Sequence, residues 1–150
     1  MIFEEEDKAE NQLKRVDHLI YVTLKYTRTC DVIKNVIFRL ISTYDAIFYE
    51  GLLYLLEKKK IKEIPQLGED KYKLFKSKFN KRGVKRYFKF YELLKKLSKA
   101  EYQAREEYRK HVTMIARVEG KKVEVDIPVL YNYYKELREF IEIVKGWMKK

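Results

Sequence analysis

The chain has 150 residues, of which 46% are hydrophobic and 38% charged, with a formal net charge of +11. That apolar share suffices for one domain with a real core and excludes a disordered polyelectrolyte; the single Cys30 excludes an internal disulfide and a cysteine zinc cluster. The positive excess points to a polyanionic partner or, equally, to a lysine-coated surface that keeps the chain soluble.

Gly and Pro number only 5 and 2, and a chain so poor in breakers and rich in Leu, Ile, Lys and Glu favours helices over a turn-rich β fold. The weighting towards Lys, Glu, Ile and Tyr is that of a thermophile. The N-terminal Met-Ile-Phe-Glu-Glu-Glu-Asp lacks the basic-then-apolar layout of a secretory signal. No apolar run reaches the roughly 18 residues of a membrane span, so a soluble, cytoplasmic protein is expected.

From about Glu5 to Tyr26, Leu13, Val16, Ile20 and Leu24 share one helical face, with Leu19 beside them. Thr27-Arg-Thr interrupts that pattern. Thr29 is positioned to cap the next helix, with Asp31 in its first turn. An apolar stripe from Val32 and Ile33 through Phe48 to Leu55 and Leu56 then keeps helical period to about Lys59. This helix is expected to be the centre of the core, with Cys30 a buried thiol and Gly51 marking the close approach of a neighbour.

Lys60 to Glu69 reads as a loop, Asp70 to Asn80 as a short helix, and Gly83 as a break. The period resumes at Val84 and predicts a helix to about Lys110, apolar through Leu97 and polar from Ala100 onward. Alternation on both sides of Glu119-Gly120 then predicts a β-hairpin. Asp126 should cap a final helix with Pro128 in its first turn and Leu130, Leu137, Ile141 and Val144 on its stripe. The expected fold is all-α, an up-and-down bundle of about four to five helices in one domain, with one small β-hairpin before the last helix.

The stretch Arg105-Glu-Glu-Tyr-Arg-Lys-His111 gathers one of only 2 histidines with Arg105, Arg109 and Lys110. Imidazole serves as general acid or base near neutral pH, and guanidinium holds phosphate through paired donors. Such a kit suffices to cleave RNA, whose 2′-hydroxyl supplies the nucleophile. The competing reading makes His111 a cation at a helix C-terminus, where the dipole favours it.

A second basic group runs from Lys71 to Lys89 and includes Lys78, Arg82, Lys85 and Lys89, interleaved with Tyr72, Phe75, Phe79, Tyr87 and Phe88. Basic residues among aromatics suit phosphate neutralisation with base stacking, although the helical spacing of these rings assigns most of them to the core. His18 beside Asp17 reads as a solvated or half-buried pair, and Tyr131, Tyr133 and Tyr134 as packing residues or the flank of a cleft. No His-x-x-x-His spacing, Gly-rich phosphate loop or Ser elbow occurs, so neither metal nor cofactor is expected. Aromatics at 15% exceed what one core of this size is expected to absorb, which predicts a homodimer joined by helix faces.

The Arg105 and His111 pair, with five residues between them, resembles the signature of the HEPN family of small helical domains, and the long helix from Val32 resembles the family's core. The resemblance implies RNA binding, with a metal-independent endoribonuclease as one possibility. Arg105 would hold phosphate, His111 would move protons and Arg109 would assist, in a site completed across a dimer. The alternative is a non-catalytic interaction module, for example the partner subunit of a nucleotidyltransferase in a toxin–antitoxin-like pair. On one regular helix Arg105 and His111 would stand about 120° apart, so they share a pocket only if the helix ends before His111 or a second subunit supplies the missing group.

Overall fold

A computed structural model of the chain describes residues 8–149. The Glu5–Asp7 start expected for the first helix lies outside the described residues. The first rod runs from Ala9–His18 (α1) through a π-helical segment, Leu19–Thr23, into Leu24–Tyr26 (α2). Gln12, Val16, Ile20 and Leu24 are all buried and stand four apart. On a regular α-helix each such step overshoots a turn by about 40°, and the stripe would drift off the core. The π turn is wider and absorbs that drift.

Cys30–Glu57 (α3) is the central helix, packing against the first rod and against Gly68–Lys78 (α4), Lys85–Lys99 (α5) and Ile127–Met148 (α6). Thr29 caps it as expected, its hydroxyl accepting from the Val32 amide at 3.3 Å. Gly51 is where α4 comes closest: a Cβ there would collide with the Phe75 ring. The core is largely aromatic, with Phe48 against Tyr72, Phe75, Phe88, Tyr91 and Phe140. Asp126 caps α6, accepting from the Val129 amide at 3.0 Å, with Pro128 in the first turn.

The helix expected to reach Lys110 ends at Lys99. Ala100 is already extended, and Tyr102–Arg105 forms β1, which pairs antiparallel with Thr113–Val118 (β2); β2 in turn pairs with Lys121–Asp126 (β3). The expected hairpin is therefore two strands of a three-stranded sheet. The 100–110 stretch carries no apolar stripe to dock a helix, and pairing with β2 satisfies its backbone instead. Beyond it, Glu106 and Tyr108 sit at φ 54° and 69°, which no right-handed helix accommodates. At the β2–β3 turn Glu119 and Gly120 both have positive φ, 51° and 79°, the backbone a tight hairpin requires. The sheet's inner face buries Met114, Ala116 and Val125. Among the described residues no helix is long and apolar enough to cross a membrane.

Candidate functional site

The segment between β1 and β2 is an irregular loop, 106–112, fastened to the joint between α2 and α3. The Tyr108 amide donates to the Arg28 carbonyl at 2.7 Å. The Glu107 carboxylate accepts from the Cys30 amide at 3.3 Å, placing an anion on the N-terminus of α3 where its dipole favours one. Cys30 Sγ reaches the Thr113 carbonyl at 3.4 Å, and the Thr113 hydroxyl donates to the His111 carbonyl at 2.8 Å. Burial, followed by the Glu107 charge, pushes the Cys30 thiol up to about 11, so this thiol is structural and inert near neutral pH.

These ties set His111 and Lys110 at the rim of a cleft of about 430 Å³ between the α2 end of the first rod and the start of α6. Ile20, Leu24, Ile127 and Pro128 give it an apolar lining, and the rings of Tyr21 and Tyr131, 4.8 Å apart, contribute an aromatic side. Lys25 brings positive charge from the first rod, Arg28 from the α2–α3 joint, and Lys110 and His111 from the loop. The single acid in the lining among the described residues, Asp126, is committed to capping α6. Arg28 Nε is buried with no hydrogen-bond partner among the described residues, where its desolvation is not offset. A hollow with surplus cations, free donors, an adjoining helix N-terminus and an aromatic side is suited to an anion attached to a flat ring.

Of the residues singled out from the sequence as candidates for function, Lys110, His111 and Tyr131 line this cleft. Arg105 ends β1 on the outer face of the sheet, its guanidinium 2.5 Å from the Glu124 carboxylate and half exposed. Arg109 is exposed in the loop, and its backbone closes turns with Glu106 and Val112. Neither arginine lines the cleft with His111. Lys78, Arg82, Lys85 and Lys89 are all exposed, from the end of α4 to the first turns of α5. Lys78 lines a separate hollow of about 410 Å³ with Lys58, Lys60 and Trp147. The neighbouring Arg86 is held in a two-pronged pair with Glu136, at 2.8 and 2.5 Å. Most of the interleaved aromatics are core, as expected: Tyr72, Phe75, Phe79, Tyr87 and Phe88 are all buried.

Lys25 and Arg28 were not singled out from the sequence. The signal that points to them is the four-residue spacing of Val16, Ile20 and Leu24, which demands a wider turn, together with Tyr21 and Tyr26 lying off the apolar stripe. No family model matches the chain, and neither a curated protein nor a solved structure matches it.

Proposed function

We propose that the protein binds single-stranded RNA, with a phosphate held in the cleft by Arg28, Lys25 and Lys110 and the attached nucleotide laid against Tyr21 and Tyr131. The observation that carries this reading is the convergence of Lys25, Arg28, Lys110 and His111 on one hollow whose only acid among the described residues is already engaged. The hollow accommodates a nucleotide of a single strand and is far too small for a duplex. Anisotropy titrations with labelled oligouridylate, its deoxy counterpart and an RNA duplex test it. Expected is binding to the single strand that weakens linearly on a log–log salt plot, with the duplex excluded. RNA favoured over DNA would place the 2′-hydroxyl among the recognised groups. Indifference to salt would sink the reading.

A second reading, metal-independent cleavage, is favoured by the position of His111 in that same cleft beside Arg28 and Lys110. In it Arg28 takes the part that the HEPN resemblance assigned to Arg105. The 2′-hydroxyl gives its proton to His111, its oxygen bonds the phosphorus, and the P–O5′ bond breaks. The leaving oxygen takes a proton from solvent, and a 2′,3′-cyclic phosphate remains. His111→Ala should then lower the rate by roughly two to four orders of magnitude while RNA affinity changes little. No cyclic-phosphate product across varied RNAs would leave binding alone, as in an interaction module.

A further inference from the structure

On the other side of the first rod lies a second basic hollow that the cleft does not absorb. It is a groove of about 340 Å³ between α1 and α3, walled by Lys14, Arg15, His18 and Arg39, with Asn35 and Leu19 completing it. Among the described residues no carboxylate lines it, and none of those four basic side chains is engaged in an ion pair. Asp17, the nearest acid in sequence, is not among the residues lining the groove.

The two hollows are back to back across the π segment: Leu19 lines the groove, and Ile20 and Tyr21 line the cleft. Along the solvent side of the rod between them stand exposed His18, then Val22 at 41% and Tyr26 at 81% exposure. An exposed ring on a ridge between two cationic hollows offers a stacking surface between two phosphate sites. From Lys14 to Tyr26 the rod rises about 18 Å, a span that several nucleotides of one strand cover and a mononucleotide does not.

We infer that an RNA strand held in the cleft continues over the first rod into the α1–α3 groove, where Lys14, Arg15 and Arg39 take its further phosphates, with Tyr26 stacking on a base at the crossing. This rests on the cleft being an RNA site and adds its footprint and direction: across the rod, away from the sheet. Probes are 5′-labelled oligouridylates of about four and about twelve nucleotides, within the usual span of single-strand sites. Wild-type protein should bind the longer one at least tenfold tighter. Lys14→Glu with Arg15→Glu and Arg39→Glu should cut binding of the longer probe to the level of the shorter and leave the shorter unchanged. Tyr26→Ala should cost the longer probe roughly tenfold, the scale of one stacked base, and spare the shorter.

Because Lys14 and Arg15 are exposed and Arg39 is half-buried with no ion pair among the described residues, the melting temperature should hold. If charge reversal unfolds the chain, Lys14→Gln with Arg15→Gln and Arg39→Gln must show the same length-selective loss. Equal binding of both probes by the wild type, or an unchanged longer probe in the triple variant, overturns the groove inference and leaves the cleft standing. Failure of the wild type to bind either probe removes the underlying RNA reading instead.

Discussion

The cleft beside His111 and the lysine run from Lys78 to Lys89 are both basic, and the difference between them is one of curvature. In the cleft, cations come from two separate parts of the chain and line one hollow together with apolar side chains. In the run, Lys78, Arg82, Lys85 and Lys89 project outward from one turn and the helices beside it, exposed to solvent. Converging charges in a recess exclude water and act on one ligand atom together, whereas charges spread over an outward surface are screened within about 10 Å at ordinary salt. Counting lysines does not separate the two regions; knowing where the backbone bends does.

The largest effect should come from the concave site. Arg28→Glu with Lys110→Glu should weaken single-stranded RNA binding by about a hundredfold or more, since each charge-assisted phosphate contact contributes roughly 1.5–3 kcal/mol. The salt slope should also fall by about two. Lys78→Glu with Arg82→Glu and Lys85→Glu should cost only a few-fold, equally for probes of any length. Titration of both variants at two salt concentrations checks this, and the reverse ranking would move the RNA site to the run.

What was legible in the sequence follows the same division. The central helix, its Thr29 cap, the close approach at Gly51 and the Asp126–Pro128 start of α6 rest on local rules of period and capping, and each is present. The end of α5 was misread because a polar stretch such as Ala100 to Lys110 gives no period in either direction. Its strand exists only through pairing with β2, a partner that one-dimensional pattern does not display. The same applies to the cleft. Arg28 and His111 stand far apart in the chain and meet because the Tyr108 amide and the Glu107 carboxylate bind the α2–α3 joint. The aromatic share divides between core and surface: Tyr44, Phe48, Tyr72, Phe75, Phe79, Tyr87, Phe88, Tyr91 and Phe140 bury themselves in one core, whereas Tyr21, Tyr26, Phe38 and Tyr108 stay exposed.

Those ties supply a smaller test. Cys30 lies behind the loop that carries Lys110 and His111, and its thiol is pushed up to about 11 by burial and by Glu107. A raised value leaves little thiolate at neutral pH, so labelling by a disulfide reagent should be slow there and speed up as pH climbs towards that value. RNA seated in the cleft should slow the labelling several-fold further by holding the loop closed, while RNA on the lysine run should leave it unchanged. Asp126→Ala sharpens the contrast from the opposite wall. Loss of the cap should cost about 1 kcal/mol of stability, and because it loosens the start of α6 it should weaken RNA binding more than any single change in the run.

The smallest effect is expected at Arg105, and it discriminates most between the cleft and the residue pair that the sequence brought forward. Its guanidinium is about half exposed and paired with an equally exposed Glu124, and such surface pairs contribute roughly 0–1 kcal/mol. Arg105→Ala should therefore leave the melting temperature nearly unchanged and RNA affinity within about twofold, since no phosphate in the cleft is offered this side chain. Glu124→Gln should be equally quiet. If instead Arg105→Ala weakens binding as much as Arg28→Glu does, the arginine works in a site its own subunit does not close. Light scattering should then report twice the chain mass, and mixing Arg105→Ala with His111→Ala subunits should restore part of the lost function, as a site shared across a two-fold axis requires. A concentration-independent monomer combined with a silent Arg105→Ala assigns the chemistry to the cleft of a single chain, with Arg28 as its guanidinium.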